Sequence, residues 1–300
     1  MSRILVTGGS EFLGHNLIPA LARQHEVFAG YLVNPPERIS AAPVLIDVTQ
    51  PDLLSRQFNA IRPDLVVHAA AMSRPDECEE NPVKAGQLIV EGTGNIARAC
   101  GRYSARLVHI STDLVFDGRR GWYTEEDAVS GISIYSNCKI DAEKLVLETA
   151  PASTILRVSL MYGRGARAHP GQIDLMLRGW RAGHSGTFFT DQYRTPLFAP
   201  QVADIVEALL RRADYRGILH AGGGERLSRF KFAELLAERV KARRELIRPG
   251  SMLDNKSAAP RGADCSLVSL RLERELGVKP VTCTEGLDSL VTDGYLQPLA

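Results

Sequence analysis

Short apolar runs separated by helix-length stretches organise the first half of the chain. Ile4-Leu5-Val6, Val27-Phe28-Ala29, Val44-Leu45-Ile46, Leu65-Val66-Val67, Leu107-Val108-His109-Ile110 and Ile155-Leu156-Arg157-Val158 form six strand candidates. They are almost continuously hydrophobic instead of alternating, which is the pattern of strands covered on both faces in a parallel sheet. Between them lie the helical stretches Phe12–Arg23, Pro51–Asn59, Pro82–Tyr103 and Ser133–Thr149. Strand and helix therefore alternate, and the pattern predicts a doubly wound α/β fold around a parallel sheet.

After Val158 the rhythm breaks. A Gly- and Arg-rich loop over Tyr162–Gly171 precedes a helical stretch, Gln172–Trp180, and an aromatic and polar segment, Phe188–Pro200. Pro200–Arg212 reads as a helix, Gly217–Ala221 as a strand that returns to the sheet, and Ser228–Arg239 as an amphipathic helix with Ser228 as N-cap. Asn255–Ala263 is polar and bears Pro and Gly, so it reads as a surface loop. No internal repeat or low-complexity tract is evident. The expected organisation is a Rossmann-type unit over residues 1–160, rejoined by 196–222, with a smaller discontinuous substrate-binding unit from 161–195 and 223–300.

Composition narrows the function classes. With 300 residues, 44% hydrophobic and 24% charged, the chain has the make-up of an ordinary globular protein large enough to need no covalent staple. Its 36 basic and 35 acidic residues give no electrostatic reason to expect nucleic acid or an anionic membrane as partner. Cys78, Cys100, Cys138, Cys265 and Cys283 form no CxxC pair and no zinc spacing, so they read as free thiols and no metal site is expected. The opening MSRILVTGG lacks a signal-peptide pattern, and no apolar run approaches a membrane span, which makes the cytoplasm the expected compartment.

Two motifs carry candidate chemistry. Thr7-Gly8-Gly9-Ser10-Glu11-Phe12-Leu13-Gly14 follows the first strand and opens a helix, a context in which free N–H groups face a phosphate and glycines admit a pyrophosphate closely. Glu11 stands where the middle glycine of a TGxxGxxG pattern would be; its carboxylate either weakens pyrophosphate binding or turns away to cap the helix. Tyr135 and Lys139 lie four apart at the start of a predicted helix and so share a face. An ammonium beside a phenol is expected to lower the Tyr135 pKa toward a value useful for proton transfer. The fifth strand ends in Ser111-Thr112-Asp113, and ligands of open α/β sheets sit at strand carboxyl ends, so Thr112 and Tyr135 are expected to meet over one crevice.

These motifs belong to a longer ordered series: Asp47-Val48, His68-Ala69-Ala70-Ala71, Arg74-Pro75-Asp76, Ser111–Gly118, Leu156-Arg157, Tyr162-Gly163, Asp191–Pro196 and Pro260-Arg261. The chain thereby resembles the extended short-chain dehydrogenase/reductases, in the branch that holds dTDP-4-dehydrorhamnose reductase and the regulatory beta subunit of methionine adenosyltransferase. The resemblance implies NAD(P)H as cofactor, NADP being slightly favoured, held by Gly8, Ser10, Glu11, Phe12, Leu13, Gly14, Asp47, Val48, Ala69, Ala70 and Ala71 with Tyr135 and Lys139. It implies Thr112, Tyr135 and Lys139 as the catalytic set, with Tyr135 the proton donor, Lys139 on the nicotinamide ribose and Thr112 on the substrate carbonyl. Met72, Arg74, Asp113, Gln192, Arg194 and Arg261 would face the substrate, a nucleotide-activated sugar.

The chain departs from the family pattern at four places. Besides Glu11, Ile89 stands where the family often has an Asn that positions a water and the catalytic Lys, and Leu114 replaces a Tyr common after the STD triplet. The second strand ends Phe28-Ala29-Gly30-Tyr31-Leu32 with neither an acid for a ribose 2′-hydroxyl nor a basic residue for a 2′-phosphate, and Arg38 is too far along to decide. Three functions compete: a ketosugar reductase, a sugar-nucleotide epimerase, and a dinucleotide-binding regulatory subunit without turnover. A dehydratase is disfavoured because Leu114 follows Asp113 where an acid would be needed. Either a homodimer or a complex with a catalytic partner subunit is compatible with the chain.

Overall fold

The computed structural model describes residues 1–36, 40–166, 169–254 and 257–299, so Arg38 and the Asn255-Lys256 part of the expected surface loop lie outside the described residues. Seven strands form one sheet: β1 (Arg3–Thr7), β2 (Glu26–Tyr31), β3 (Ala42–Leu45), β4 (Leu65–His68), β5 (Arg106–Thr112), β6 (Thr154–Val158) and β7 (Gly217–Ala221). Their spatial order is β7-β6-β5-β4-β1-β2-β3, and every pairing is parallel. The order reverses between β1 and β4, the switch point at which doubly wound sheets open a crevice. The central apolar runs are buried on both faces as their hydrophobicity requires, with Ile4, Leu5, Leu65, Val66 and Val67 fully enclosed; the Val44-Leu45 run, expected to be covered likewise, lies on the edge strand β3 and leaves Leu45 exposed.

Helices α1 (Phe12–Leu21), α2 (Pro51–Ile61), α3 (Pro75–Glu80), α4 (Gly92–Tyr103) and α5 (Ile134–Thr149) cover this sheet. The stretch expected as one helix over 82–103 is subdivided. A single α-turn, Pro82–Ala85, runs into a π-helical segment, Gly86–Glu91, before α4 begins. The Thr93 hydroxyl donates to the Ile89 carbonyl at 2.6 Å, a side-chain bond into the ladder at the point where the helical register changes.

Beyond β6 the chain builds a second hydrophobic core, in which Tyr162, Ile173, Leu177, Trp180, Phe232, Leu236 and Leu287 are buried. Helices α6 (Gln172–Arg181), α8 (Arg229–Val240) and α10 (Cys283–Thr292) contribute to it, whereas α7 (Gln201–Arg211) packs with the main core, and α9 (Leu270–Leu276) adds Leu272 there. Two-residue ribbons tie the parts over the sheet's carboxyl edge: Tyr193-Arg194 pairs antiparallel with Leu227-Ser228, and the Arg229 amide donates to the Gln192 carbonyl at 2.9 Å.

One buried ion pair fixes α5 to the sheet. The Arg157 guanidinium of β6 grips Glu143 of α5 with Nη2 at 2.7 Å and Nε at 3.0 Å, and Ser111 of β5 donates its hydroxyl to the same carboxylate. Both charged side chains are almost wholly enclosed. Removing one partner leaves the other charge buried alone, which generally costs about 3–5 kcal/mol, while replacing both by apolar groups of similar volume is much milder. Arg157→Met should accordingly destabilise the fold by that amount, and Arg157→Met with Glu143→Leu should recover most of the loss in urea unfolding.

Candidate active site

The site assembles where β1, β4, β5 and β6 end. After β1 the chain turns through Gly8, whose φ of +68° is open to glycine and strained for other residues, and an added Cβ there would lie 3.0 Å from the Ala70 amide. Gly14 packs still more tightly, since its Cβ would fall 2.4 Å from the Gly9 carbonyl oxygen. The turn and the first turn of α1 are thus drawn close together, the cradle that a pyrophosphate needs. Ala69 and Ala70 form the opposite wall, and the Thr7 hydroxyl accepts from both of their amides at 3.2 Å.

A cavity of about 670 Å³ extends from this cradle over the ends of β5 and β6. Of the residues expected at the site, Glu11, Phe12, Leu13, Ala69, Ala71, Thr112, Asp113, Tyr135, Lys139, Gln192, Arg194 and Arg261 line it. Others lie outside its walls. Met72 is enclosed in a small core with Cys78, Ile89 and Tyr135. Asp47 uses Oδ1 to accept from the Thr49 amide and hydroxyl at 2.9 and 2.7 Å, and the Val48 carbonyl takes a 2.9 Å bond from Asn95. Arg74 precedes α3, and its charge draws the Glu11 pKa down against the larger upward effect of burial. Gly8, Ser10, Gly14 and Ala70 belong to the turn and its facing wall, not to the cavity lining.

Glu11 does not cap the helix. Its side chain makes no cap bond to α1 and instead meets His169 Nδ1 at 2.7 Å. The carboxylate is therefore held against an imidazole of the loop after β6, which offsets its repulsion toward a neighbouring phosphate when the imidazole is protonated.

Tyr135 enters at the second residue of α5. The helix start is fixed by Ser133, whose hydroxyl accepts from the Ser136 amide while Ser136 returns a bond to the Ser133 amide. Thr112, the last residue of β5, caps the short turn Asp113–Val115 and faces Tyr135 across the cavity floor. Lys139, one helical turn on, donates to the Ile110 carbonyl at 2.6 Å. Sequence spacing led us to expect that Lys139 lowers the Tyr135 pKa. The opposite direction holds: burial pushes the phenol well above the usual range, against a downward pull from the Thr112 hydrogen bond, and the Asp113 charge adds a lesser upward push. Desolvation dominates, and the Lys139 ammonium is directed to the strand backbone instead.

Burial also pushes Lys139 down to about 8, opposed by the Glu143 charge. Beneath it lie His68 and His109, neighbours on β4 and β5 with ring centroids 5.4 Å apart. Burial and the Lys139 charge hold both well below the ordinary histidine range, His68 near 3. His68 bridges the Thr7 and Thr93 hydroxyls at 2.7 and 3.1 Å, while neither ring nitrogen of His109 has a hydrogen-bond partner among the described residues.

Sequence reasoning missed several groups at the site. Ser73, Asp76, Ser159, Phe189 and Arg229 join the lining, and Asp76 takes a 2.6 Å bond from Arg261. Ser159 donates to Asp113 at 2.9 Å, Arg194 Nε lies 3.6 Å from the same carboxyl, and burial raises the Asp113 pKa against that attraction. Arg229 left one faint signal: a cation at the first position of a helix opposes the helix dipole and invites another explanation. No group of three or more metal-ligating side chains occurs among the described residues, and no described helix is long and apolar enough to cross a membrane.

A doubly wound sheet with a glycine cradle at its switch point, and a Thr, a Tyr and a Lys at the next strand end, defines an NAD(P)-dependent extended short-chain dehydrogenase/reductase. The chain belongs to the RmlD substrate binding domain family, which it matches over residues 1–295. It is 30% identical over 276 residues to dTDP-4-dehydrorhamnose reductase of Mycobacterium tuberculosis, covering 89% of this chain and 85% of that one. It is 28% identical over 254 residues to methionine adenosyltransferase 2 subunit beta of Rattus norvegicus, covering 82% and 75%. Among solved structures, dTDP-4-dehydrorhamnose reductase from Bacillus anthracis, in complex with NADP, superposes with a TM-score of 0.84 at 24% identity, over 97% of this chain and 99% of that one.

The Lys139 environment has a measurable consequence. Between about 8 and the ordinary 10.5 the unfolded chain binds a proton that the native Lys139 does not, so native stability rises with pH across that window. The gain from pH 8 to pH 10 should be about 2 kcal/mol relative to Lys139→Met, which lacks this titration. Urea unfolding of both proteins at the two pH values checks it; parallel curves would count against a buried, easily neutralised Lys139.

Proposed function

We propose that this chain is a reductase of the dTDP-4-dehydrorhamnose reductase type, acting on the keto group of a nucleotide-activated sugar with NAD(P)H. The observation that carries it is the convergence of the Thr112 hydroxyl and the Tyr135 phenol on one cavity floor beside the glycine cradle. The cradle at Gly8 and Gly14 and the wall at Ala69–Ala71 fit a dinucleotide, whose nicotinamide supplies hydride when bound. Thr112 donates to the substrate carbonyl oxygen and orients it. Tyr135 stays protonated because of its burial and gives its phenolic proton to that oxygen as negative charge develops. Lys139, desolvated by its own burial, would exchange the Ile110 carbonyl for the ribose hydroxyls of the bound cofactor and stabilise the phenolate that Tyr135 leaves behind.

A second reading rests on Ile89. It lies fully buried in the π-helical turn, so the relay Asn expected there is replaced by an apolar side chain, and a regulatory subunit resembling the methionine adenosyltransferase beta subunits would have no use for that relay. The two are separated by assaying the isolated protein for NADPH and NADH oxidation with dTDP- and UDP-ketosugars. Turnover without a second protein is expected, falling about 100-fold or more in Tyr135→Phe with cofactor affinity nearly unchanged. Dinucleotide binding without turnover on any ketosugar, together with stoichiometric recovery alongside a larger catalytic subunit, would overturn the reductase.

A further inference from the structure

Leu5, Val66, Leu107 and Ile155 fall on the sheet face covered by α2, α4 and α5. Alternation along the strands puts Thr7, His68, His109, Ser111 and Arg157 on the same face, nearer the carboxyl ends, and all five are buried. Four of them are matched. His68 spends both ring nitrogens on the Thr7 and Thr93 hydroxyls, and Ser111 and Arg157 share the Glu143 carboxylate. His109 is the exception, since neither of its ring nitrogens has a hydrogen-bond partner among the described residues. Lys139 enters this row from α5: its ammonium bonds the carbonyl of Ile110, the residue next to His109, and its charge acts on both imidazoles.

Burial and the neighbouring ammonium both keep the His109 ring neutral, so it presents one N–H and one bare acceptor nitrogen. A buried acceptor left unpaired is costly, and an ammonium has three donors to place. The other groups near Lys139 that carry charge or titrate are committed. Glu143 serves Ser111 and Arg157, His68 serves two hydroxyls, Asp113 accepts from Ser159, and burial keeps the Tyr135 phenol and the Cys78 thiol protonated. The π-helical turn brings the apolar Ile89, and α4 brings Thr93, whose hydroxyl donates to the Ile89 carbonyl. We propose that His109 is a positioning residue for Lys139, its bare nitrogen accepting from the ammonium as Nζ leaves the Ile110 carbonyl for the ribose of the dinucleotide. This rests on the cofactor-dependent reading above and deepens it. The imidazole keeps the ammonium charged and aimed while one of its partners is exchanged.

The test is titration of the whole protein with NADPH across pH, comparing wild type with His109→Phe, His109→Asn and His109→Gln; the two amides set an oxygen acceptor near one or other ring nitrogen. Without an acceptor the bound ammonium is easier to neutralise. His109→Phe should therefore bind NADPH about tenfold more weakly than wild type at about pH 9, yet within about twofold at about pH 6.5, and one of the amides should restore most of the alkaline affinity. A ring that serves packing alone would lower affinity by the same factor at every pH and gain nothing from an amide, which would overturn the proposal. Imidazole nitrogen NMR of labelled wild type gives a second reading: saturating NADPH should move the bare His109 nitrogen upfield as it accepts a hydrogen bond, and an unmoved signal overturns the role even where His109→Phe fails to fold. No binding of NADPH or NADH to wild type would overturn the role and the dinucleotide reading together. The alkaline affinity shift, found in a protein that reduces no ketosugar, would leave the positioning role standing while the reductase reading fell.

Discussion

The Glu143 carboxylate is the joint on which the rest of the site depends. It is shared by Ser111 on β5 and Arg157 on β6, and it belongs to the helix that carries Tyr135 and Lys139. Two strands and one helix are thereby held at a set distance by charge-assisted bonds in an almost water-free interior, where such bonds are strong and their geometry narrow. Tyr135 lies two turns up the same helix and inherits that placement. The arrangement also explains how a lysine can be enclosed beneath a cavity: Glu143 offers it negative charge from the next turn, while Ile110 gives it a carbonyl to hold.

The parallel sheet was legible because its central strands are buried on both faces and therefore apolar almost throughout, while the edge strand β3 is largely exposed. The glycine turn was legible for a related reason: positive φ and backbone contact leave few residue types to choose from. Subtler features left less trace. The π-helical turn at Gly86–Glu91 is marked in the structure by a hydroxyl bond of Thr93, a residue unremarkable in a helical stretch, so one uniform helix was the natural expectation. The direction of the Tyr135 shift was missed because spacing shows which groups share a helix face and says nothing of how much water surrounds them. Glu11 was expected to act on a phosphate or on a helix end; its partner His169 lies far along the chain, in a loop whose path no local pattern reveals.

The substrate wall was the least legible part, and for a topological reason. Arg194 comes from one ribbon strand and Gln192 from just before it, Arg229 from the helix after the other, and Arg261 from a segment that docks on Asp76. Only the family resemblance pointed to Gln192, Arg194 and Arg261, and nothing pointed to Arg229 beyond its place at a helix start. Their convergence depends on three separate returns of the chain to one edge of the sheet, and only the assembled fold brings them within reach of each other.

Strand β7 has a consequence for how the protein is made. Its partner β6 ends at Val158, and β7 begins only at Gly217, so the sheet lacks its last strand while about 60 further residues are synthesised, roughly 3–12 s at ordinary ribosomal rates. During that interval Ile155 and Leu156 lie on an open, apolar edge with unpaired backbone groups, the kind of surface that recruits a strand from a neighbouring chain. In a chain that folds as it is made, β6 would be the open edge of a six-stranded sheet until β7 arrives, and a ribosome stalled in that stretch would present that edge.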